Sequence, residues 1–330
     1  MFDRTDAGND GNGNLRGPID TGLESGPREP GMKEQPLPEW VGRPERSNTL
    51  ALRMIVWVAL TLGRPAARLL LYPVCLYFLI FSTQSRAAST KYLRKALARE
   101  PRLADAFRHC HTFAATLLDR VFLFNDQYSR FDVRVHDEDI LADMIKRGDG
   151  CFLLGAHMGS FEIVRALGKC NTAARISLVM YADNARKFNS VLGAINPGLS
   201  LQVISLGKVD SMLKVEAALN RGEIVGMLGD RTFQGEGTVA CQFFGAQARI
   251  PNGPFRLAAM LNRPVVLMFG LYRGGNRYDI HFERLVDTWR RPGAARERLL
   301  DEALHRYVGR LEHYCRDAPY NWYNFYDFWK

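Results

Sequence analysis

One histidine and one carboxylate stand five residues apart, directly after a short apolar run. The run covers residues 151–154, Gly155 ends it, and small residues around His157 lead to Glu162. A run of that length is typical of a buried strand, and the apolar residues from Ile163 onward have helical spacing. We therefore predict a strand, a tight loop that carries His157, and a helix with Glu162 in its first turn.

The five-residue spacing decides where these two side chains can meet. On a regular helix, residues five apart point about 140° away from each other. Across a strand–loop–helix corner they can meet, with Gly159 letting the backbone turn tightly. A carboxylate on one ring nitrogen would stabilise imidazolium while the other nitrogen takes a proton from a hydroxyl. The alternative is a histidine hydrogen-bonded within the loop, with Glu162 as a helix N-terminal charge.

A second polar pair follows another predicted strand. Asp230 and Arg231 come after the apolar run at residues 224–228. Ligands of open α/β sheets bind at the carboxyl ends of the strands, so we expect this pair at the same sheet edge as His157. Because an arginine fork suits phosphate, the pair either binds a phosphate or pantetheine arm or forms a structural ion pair.

A third candidate group surrounds a turn before a predicted helix at residues 255–261. Arg249 precedes the turn, and Asn252 and Gly253 belong to it. Backbone N–H groups at a helix N-terminus can hold an anion or a developing oxyanion. An ordinary turn with a helix cap is the alternative.

The His-x4-Glu pattern after a buried strand resembles the signature of the lysophospholipid acyltransferase superfamily. It is most similar to the lipid A biosynthesis (late) acyltransferase branch. Further blocks similar to that branch follow in the same order, at residues 222–231, 243–258, 262–269 and 318–329. The last block lacks the basic residues with which lipid A enzymes usually close, so the chain is more similar to relatives in aryl-polyene and similar lipid gene clusters.

This resemblance implies an acyltransferase that moves an acyl chain from acyl carrier protein, or coenzyme A, to a lipid or glycolipid hydroxyl. His157 would be the general base and Glu162 would orient it, with no metal, no cofactor and no covalent acyl-enzyme. The implied substrate-binding residues are Gly159, Ser160, Asp230, Arg231, Arg249, Asn252 and Gly253. A catalytically inactive, membrane-bound lipid-binding or assembly subunit of the same fold is the alternative.

The order of apolar segments predicts the fold class. From Asp132 onward, strand and helix patterns alternate, which is typical of an α/β fold. We expect a mixed, largely parallel twisted sheet flanked by helices. Residues 1–48 are rich in Gly, Pro and charged residues and are expected to be a disordered tail. We assign residues 49–83 to membrane-associating helices and residues 84–330 to the acyltransferase domain.

The most apolar part of the chain has two halves, residues 52–62 and 69–81, with Gly63, Arg64 and Pro65 between them. Each half is shorter than the roughly 20 residues that span a bilayer. The pair either forms a hairpin in one leaflet, or its second half spans, or both halves are buried in the protein. The resemblance favours membrane attachment here, because the branch carries an N-terminal anchor.

The net charge of +9 suits an acidic partner. An acidic carrier protein and an anionic membrane surface both qualify. Nucleic acid is excluded as a partner because the sequence has no nucleic-acid-binding motif. Lys and Arg residues that follow the apolar segment predict the cytoplasmic face of the inner membrane. The six cysteines are scattered, which favours reduced core residues over a disulfide framework.

Overall fold

The predicted alternation of strands and helices is confirmed in the computed structural model of the chain. The structure describes residues 49–164, 175–199, 201–207, 210–232 and 236–329. The predicted tail at residues 1–48 therefore lies outside the described residues. The helix predicted with Glu162 in its first turn is described only as far as Val164, as a short 3-10 turn, Glu162–Val164. The rest of that predicted helix also lies outside the described residues.

Seven of the described strands form one sheet. They are β1 (Asp132–His136), β2 (Cys151–Gly155), β3 (Ile176–Tyr181), β4 (Val203–Leu206), β5 (Ile224–Leu228), β8 (Val265–Gly274) and β9 (Arg277–Val286). Their order across the sheet is β1-β9-β8-β2-β5-β3-β4. Neighbouring strands are parallel except for β8 and β9, which are antiparallel. The mixed, largely parallel sheet that the sequence predicts is thus present.

Helices cover both faces of this sheet. They are α1 (Thr49–Phe81), α2 (Thr83–Ala96), α3 (Leu103–Leu123), α4 (Asp139–Arg147), α5 (Ala182–Ile195), α6 (Ser211–Asn220), α7 (Gly253–Met260) and α8 (Gly293–Asp317). One core joins the sheet to α2, α6, α7 and α8, and the other joins it to α1, α3, α4 and α5.

Strand β2 shows why the sheet is buried on both faces. Phe152 and Leu154 belong to the first core, whereas Cys151 and Leu153 belong to the second. Successive side chains of a strand point to opposite faces, so a central strand covered on both sides needs a continuous apolar run. That requirement accounts for the run from which the sequence analysis began.

A two-stranded antiparallel hairpin was not predicted. Its strands are β6 (Thr238–Phe243) and β7 (Ala246–Pro251). Phe244 and Gly245 connect them with φ angles of 52° and 69°, the left-handed pair that a tight hairpin turn requires. A phenylalanine is uncommon at such a position, so the turn carries no clear sequence signal. The N–H of Phe244 donates to Glu312 Oε2 at 2.5 Å.

Helix α1 buries one side of the apolar segment and exposes the other. Two helical parts meet at Gly63, where φ is 83° and ψ is 171°. Val56 and Ala59 of the first part and Leu71 of the second pack in the same core as α3. Residues Met54–Phe81 form a helix long and apolar enough to cross a membrane, with 22% of its most apolar window buried. The helix can therefore associate with a membrane through its exposed side.

A buried ion pair fixes the junction of α1 to the domain. The guanidinium of Arg64 donates to both carboxylate oxygens of Asp119 at 2.7 and 2.8 Å. The hydroxyl of Tyr278 on β9 donates to the same carboxylate at 2.7 Å. Asp119 is fully buried, and a buried charge without partners costs several kcal/mol. Arg64 thus holds the middle of α1 against α3 and β9.

Arg64→Ala should therefore lower the free energy of unfolding by about 3–5 kcal/mol, because it leaves the Asp119 charge buried and half-paired. Urea unfolding in a neutral detergent, followed by near-UV circular dichroism, measures this loss. The matched control is Arg94→Ala. The ion pair of Arg94 with Glu100 is exposed, at 53% and 77% of the two side chains, so its loss should change stability little. Equal losses in the two variants would contradict the anchoring role of Arg64.

Candidate functional site

His157 lies where the sequence predicts, in the loop at the carboxyl end of β2. Two backbone hydrogen bonds with residues near the C-terminus hold the loop. The N–H of Gly159 donates to the carbonyl of Asn321 at 2.8 Å, and the N–H of Tyr323 donates to the carbonyl of His157 at 2.8 Å. The imidazole remains partly accessible, with 33% of the side chain exposed. A fixed backbone and an accessible ring are what a proton-transfer residue needs.

The carboxylate that contacts the imidazole belongs to Asp230. Nδ1 of His157 lies 2.8 Å from Oδ1 of Asp230. Asp230 follows β5, which is the parallel neighbour of β2, so the two strand ends deliver the two residues to one place. The backbone N–H of His157 is also 3.1 Å from each oxygen of this carboxylate. A proton on Nδ1 that is donated to Asp230 leaves the lone pair of Nε2 available.

The indole of Trp322 completes the surroundings of Asp230. Its Nε1–H donates to Oδ2 at 2.9 Å, and the side chains of both residues are buried. Burial alone would raise the pKa of Asp230, but attraction and hydrogen bonding from His157, the charge of Arg231 and the Trp322 bond lower it to about 2. Asp230 therefore remains charged at neutral pH and can stabilise an imidazolium.

The environment keeps the imidazole of His157 neutral. Its pKa is lowered from the usual value, chiefly because desolvation disfavours the charged form and secondly because Arg231 repels it, while Asp230 acts in the opposite direction. A neutral ring at physiological pH can accept a proton. The site thus combines a charged carboxylate with an uncharged base.

The predicted contact between Glu162 and His157 is not formed. Oε1 of Glu162 lies 3.0 Å from Nε of Arg120 on α3, and Oε2 accepts a hydrogen bond from Ser160 at 3.2 Å. The contact with Arg120 is an ion pair without hydrogen-bond geometry, because its Nε has no hydrogen-bond partner. Arg120 attracts the carboxylate, and Asp230 occupies the ring nitrogen that Glu162 was expected to bind.

Gly159 and Ser160 support the loop and do not line an open groove. Gly159 has φ of 55°, and a Cβ there would collide with the carbonyl oxygen of Gly270 on β8. Ser160 is fully buried, and its N–H donates to the same carbonyl at 2.8 Å. Both residues therefore serve the close approach of the loop to β8, and their role in binding substrate stays a prediction.

Arg231 follows Asp230 after β5, and its charge acts on the imidazole of His157. It donates through Nη2 to the carbonyl of Tyr323 at 2.9 Å. Its guanidinium carbon lies 5.8 Å from the centre of the Tyr326 ring. Among the described residues, that hydrogen bond uses one of its five N–H groups, so donors remain for a substrate oxygen.

The predicted anion site at the start of α7 is not supported. A Cβ on Gly253 would collide with a carboxylate oxygen of Glu236, so a protein carboxylate already lies at this helix end. The N–H of Asn252 donates to the carbonyl of Gly237 at 3.0 Å. Arg249 is exposed on β7, with Thr238 at 3.5 Å. Within the described part of the chain, no hydrogen bond or ion pair joins Arg249, Asn252 or Gly253 to His157.

Sequence reasoning missed the part played by the C-terminal segment at residues 321–329. From the sequence, residues 318–329 are identified only as a block similar to the acyltransferase branch. Trp322 instead binds Asp230, and the backbone around it holds the His157 loop. Tyr307 of α8 was also missed; its hydroxyl donates to the carbonyl of Gly155 at 2.9 Å. Only the Trp/Tyr-rich composition of the segment pointed to a role.

One group of described residues has metal-binding potential. Ligand atoms of His136, Asp279 and His281 lie within 4.8 Å of one another, and the two rings stack with centroids 4.3 Å apart. Arg273 already donates to Asp279 Oδ2 at 2.7 Å, which would compete with a cation. The group lies on β1 and β9, away from the end of β2, so it has no evident part in the chemistry of His157.

Comparison with known proteins identifies a family. The sequence model described as bacterial lipid A biosynthesis acyltransferase matches residues 54–306. This range includes His157, Asp230 and all seven strands of the large sheet, and it stops within α8. A search of curated proteins found no match.

Gly159→Ala should displace the His157 loop, because it combines a left-handed backbone with a collision against β8. The matched control is Gly148→Ala, where φ is 67° and a Cβ would meet nothing within 4 Å. Backbone strain alone should cost the control about 1–2 kcal/mol. Urea unfolding should show a clearly larger loss for Gly159→Ala. Equal losses would mean that the contact with Gly270 does not constrain the loop.

Proposed function

Because the chain belongs to the bacterial lipid A biosynthesis acyltransferase family, we propose that it moves an acyl chain from a thioester donor to a hydroxyl of a lipid or glycolipid. Family membership makes the chain an acyltransferase that acts on lipid. The proposal that His157 is the general base of this transfer depends above all on one observation, the 2.8 Å contact between Nδ1 of His157 and Asp230. That contact leaves Nε2 as the base.

In this mechanism Nε2 of His157 removes the proton of the acceptor hydroxyl as its oxygen attacks the thioester carbonyl. The tetrahedral intermediate then collapses, the carbon–sulfur bond breaks, and the imidazolium returns its proton to the departing thiolate. Asp230 stays ionised and stabilises the imidazolium between these steps. General-base assistance of this kind contributes about 10²–10⁴ in rate.

Arg231 is the candidate for oxyanion stabilisation. Its positive charge contributes, after desolvation, to the lowered pKa of the imidazole, which supports a position close to the reacting atoms. A fixed donor aimed at the developing oxyanion is often the largest single contribution to catalysis. We therefore prefer Arg231 to the Asn252–Gly253 turn for this role.

The donor is proposed to be acyl carrier protein, with acyl coenzyme A as the alternative. The basic residues of α2 and the loop after it do not specify a docking surface for the carrier. Lys91 pairs with Asp327, Arg94 with Glu100, and Arg99 with Asp105. These carboxylates neutralise much of the local charge, so direct comparison of the two thioesters is the appropriate test of the donor.

We place the protein at the cytoplasmic face of the inner membrane, attached through the exposed side of α1. Trp57, Leu69 and Phe81 are each more than 60% exposed. Large apolar side chains in such number on one helix favour contact with acyl chains. Attachment there would keep a lipid acceptor close to the domain that carries His157.

His157→Ala should reduce acyl transfer by at least about 10², measured as acylated lipid formed from a defined thioester donor. Asp230→Asn should cost a similar factor, because an amide cannot stabilise imidazolium and favours the wrong tautomer. Glu162→Gln is the matched control. It also removes one carboxylate charge, but its partner is Arg120, so the loss should be much smaller.

The relative losses of acyl transfer in Asp230→Asn and Glu162→Gln show which carboxylate acts together with His157. Unchanged circular dichroism and thermal unfolding would show that each variant folds. If Glu162→Gln were the more damaging change and Asp230→Asn nearly harmless, Glu162 would be the partner of the base during turnover. Wild-type transfer or thioester cleavage in His157→Ala would exclude the mechanism altogether.

The pH dependence of kcat provides a second test. The base must be neutral, so the rate should fall as pH drops through the lowered pKa of His157. Arg231→Gln removes a repelling positive charge and should move this acid limb to higher pH. Asp230→Asn removes an attracting negative charge and should move it to lower pH. An acid limb that stays in place in both variants would mean that another group titrates.

A further inference from the structure

A cavity lies next to α1, behind the loop that carries His157. Its volume is about 400 Å³. Parts of α1, α3, the β8–β9 turn and the C-terminal segment line it. We call it the arginine pocket, defined by Arg68, Arg108, Arg273 and His111. His157 is not among its lining residues, so the pocket is separate from the proposed reaction centre.

The arginine pocket carries positive charge that the protein does not neutralise. Arg273 is balanced, because it donates to Asp279 and to Asp317 at 2.7 Å each. Among the described residues, Arg68 donates to neutral groups, the carbonyl of Gly275 at 2.7 Å and the hydroxyl of Tyr272 at 2.5 Å.

Arg108 is the least constrained of the three. Its guanidinium carbon lies 4.5 Å from the centre of the Tyr320 ring. Neither Arg108 nor Arg68 forms an ion pair within the described part of the chain. Two uncompensated guanidinium groups at one cavity suit an anion with several oxygens.

The wall of the pocket also contains a polar atom without a partner. Nε2 of His111 is buried and has no hydrogen-bond partner in the structure. The ring lies beside Tyr72, with centroids 4.8 Å apart. Burial, and then the charge of Arg68, lower the pKa of His111, so the ring is neutral and can carry its proton on Nε2.

The position of the pocket indicates which kind of anion it takes. Arg68 is followed on α1 by Leu69, Leu70 and Tyr72, which are 69%, 46% and 52% exposed. Tyr72 lies one helical turn after Arg68, so the two share a face of α1, and the cationic wall borders the exposed side of the helix there. A molecule with a phosphate group and acyl chains satisfies both surfaces, because basic residues beside an apolar helix pair with anionic headgroups.

We propose that the arginine pocket binds the phosphate headgroup of an anionic membrane lipid whose acyl chains lie along α1. The pocket is also connected to the reaction centre. The side chain of Asn321 binds the backbone of Tyr272 at 2.7 and 3.1 Å, and its carbonyl accepts from Gly159. A lipid in the pocket would thus rest against the segment that holds the His157 loop. Lipid binding at the arginine pocket requires no turnover, so it is a function additional to the proposed acyl transfer.

The test is calorimetric titration of the full chain in a neutral detergent. The probes are dioctanoyl phosphatidic acid, dioctanoyl phosphatidylcholine and inorganic phosphate. Phosphatidic acid should bind at least tenfold more tightly than either of the others. Arg108→Gln should weaken this binding at least tenfold, because it removes one of the two uncompensated charges. The side chain of Arg108 lies against the Tyr320 ring and forms no ion pair with the described residues, so its loss should not disturb folding. Arg68→Gln should act in the same direction.

The matched control is Arg290→Gln, which removes one exposed arginine charge outside the pocket. Binding in this control should match that of the unmodified chain. Equal weakening in Arg108→Gln and Arg290→Gln would reveal a non-specific charge effect and overturn the proposal. Inorganic phosphate that binds as tightly as phosphatidic acid would overturn the lipid assignment. A chain that transfers acyl groups but does not bind phosphatidic acid would overturn this proposal alone.

Discussion

A single buried carboxylate imposes most of the order in the candidate site. Asp230 is almost inaccessible to solvent and is ionised at neutral pH. Such a charge is tolerated only where donors surround it, and here they come from the imidazole and backbone of His157 and from the indole of Trp322. Because Asp230 needs these donors, the ends of β2 and β5 and the segment around residue 322 must lie close together. Loss of any one donor would leave the other two holding a poorly solvated charge.

The sheet supplies the geometry that this carboxylate needs. Strands β2 and β5 are parallel neighbours, so their ends deliver His157 and Asp230 side by side. The loop after β2 then packs tightly on β8, with Gly159 opposite Gly270. Neither glycine has room for a Cβ. Backbone contacts therefore fix the position of His157, and changes of side-chain rotamer cannot shift it. A base fixed in this way is preorganised for proton transfer.

Local patterns in the sequence were sufficient for the seven strands of the large sheet, for most of the helices and for the location of His157. They were not sufficient for its partner. Glu162 is close in sequence, whereas Asp230 is 73 residues away and reaches His157 only because β5 lies next to β2. Strand order is a property of the whole sheet, so the spacing His-x4-Glu could not reveal it. Likewise, the β6–β7 turn depends on Phe244 in a left-handed conformation, which residue type alone does not suggest.

The involvement of residues 321–323 has a consequence for how the site is assembled during synthesis. The ribosome makes both strand ends long before these residues, so Asp230 has no indole donor and the His157 loop has no backbone support until the segment has emerged. Until then, the nascent chain can expose the apolar side of α1 while its reaction centre is incomplete. The order of synthesis therefore allows contact with lipid before acyl transfer becomes possible.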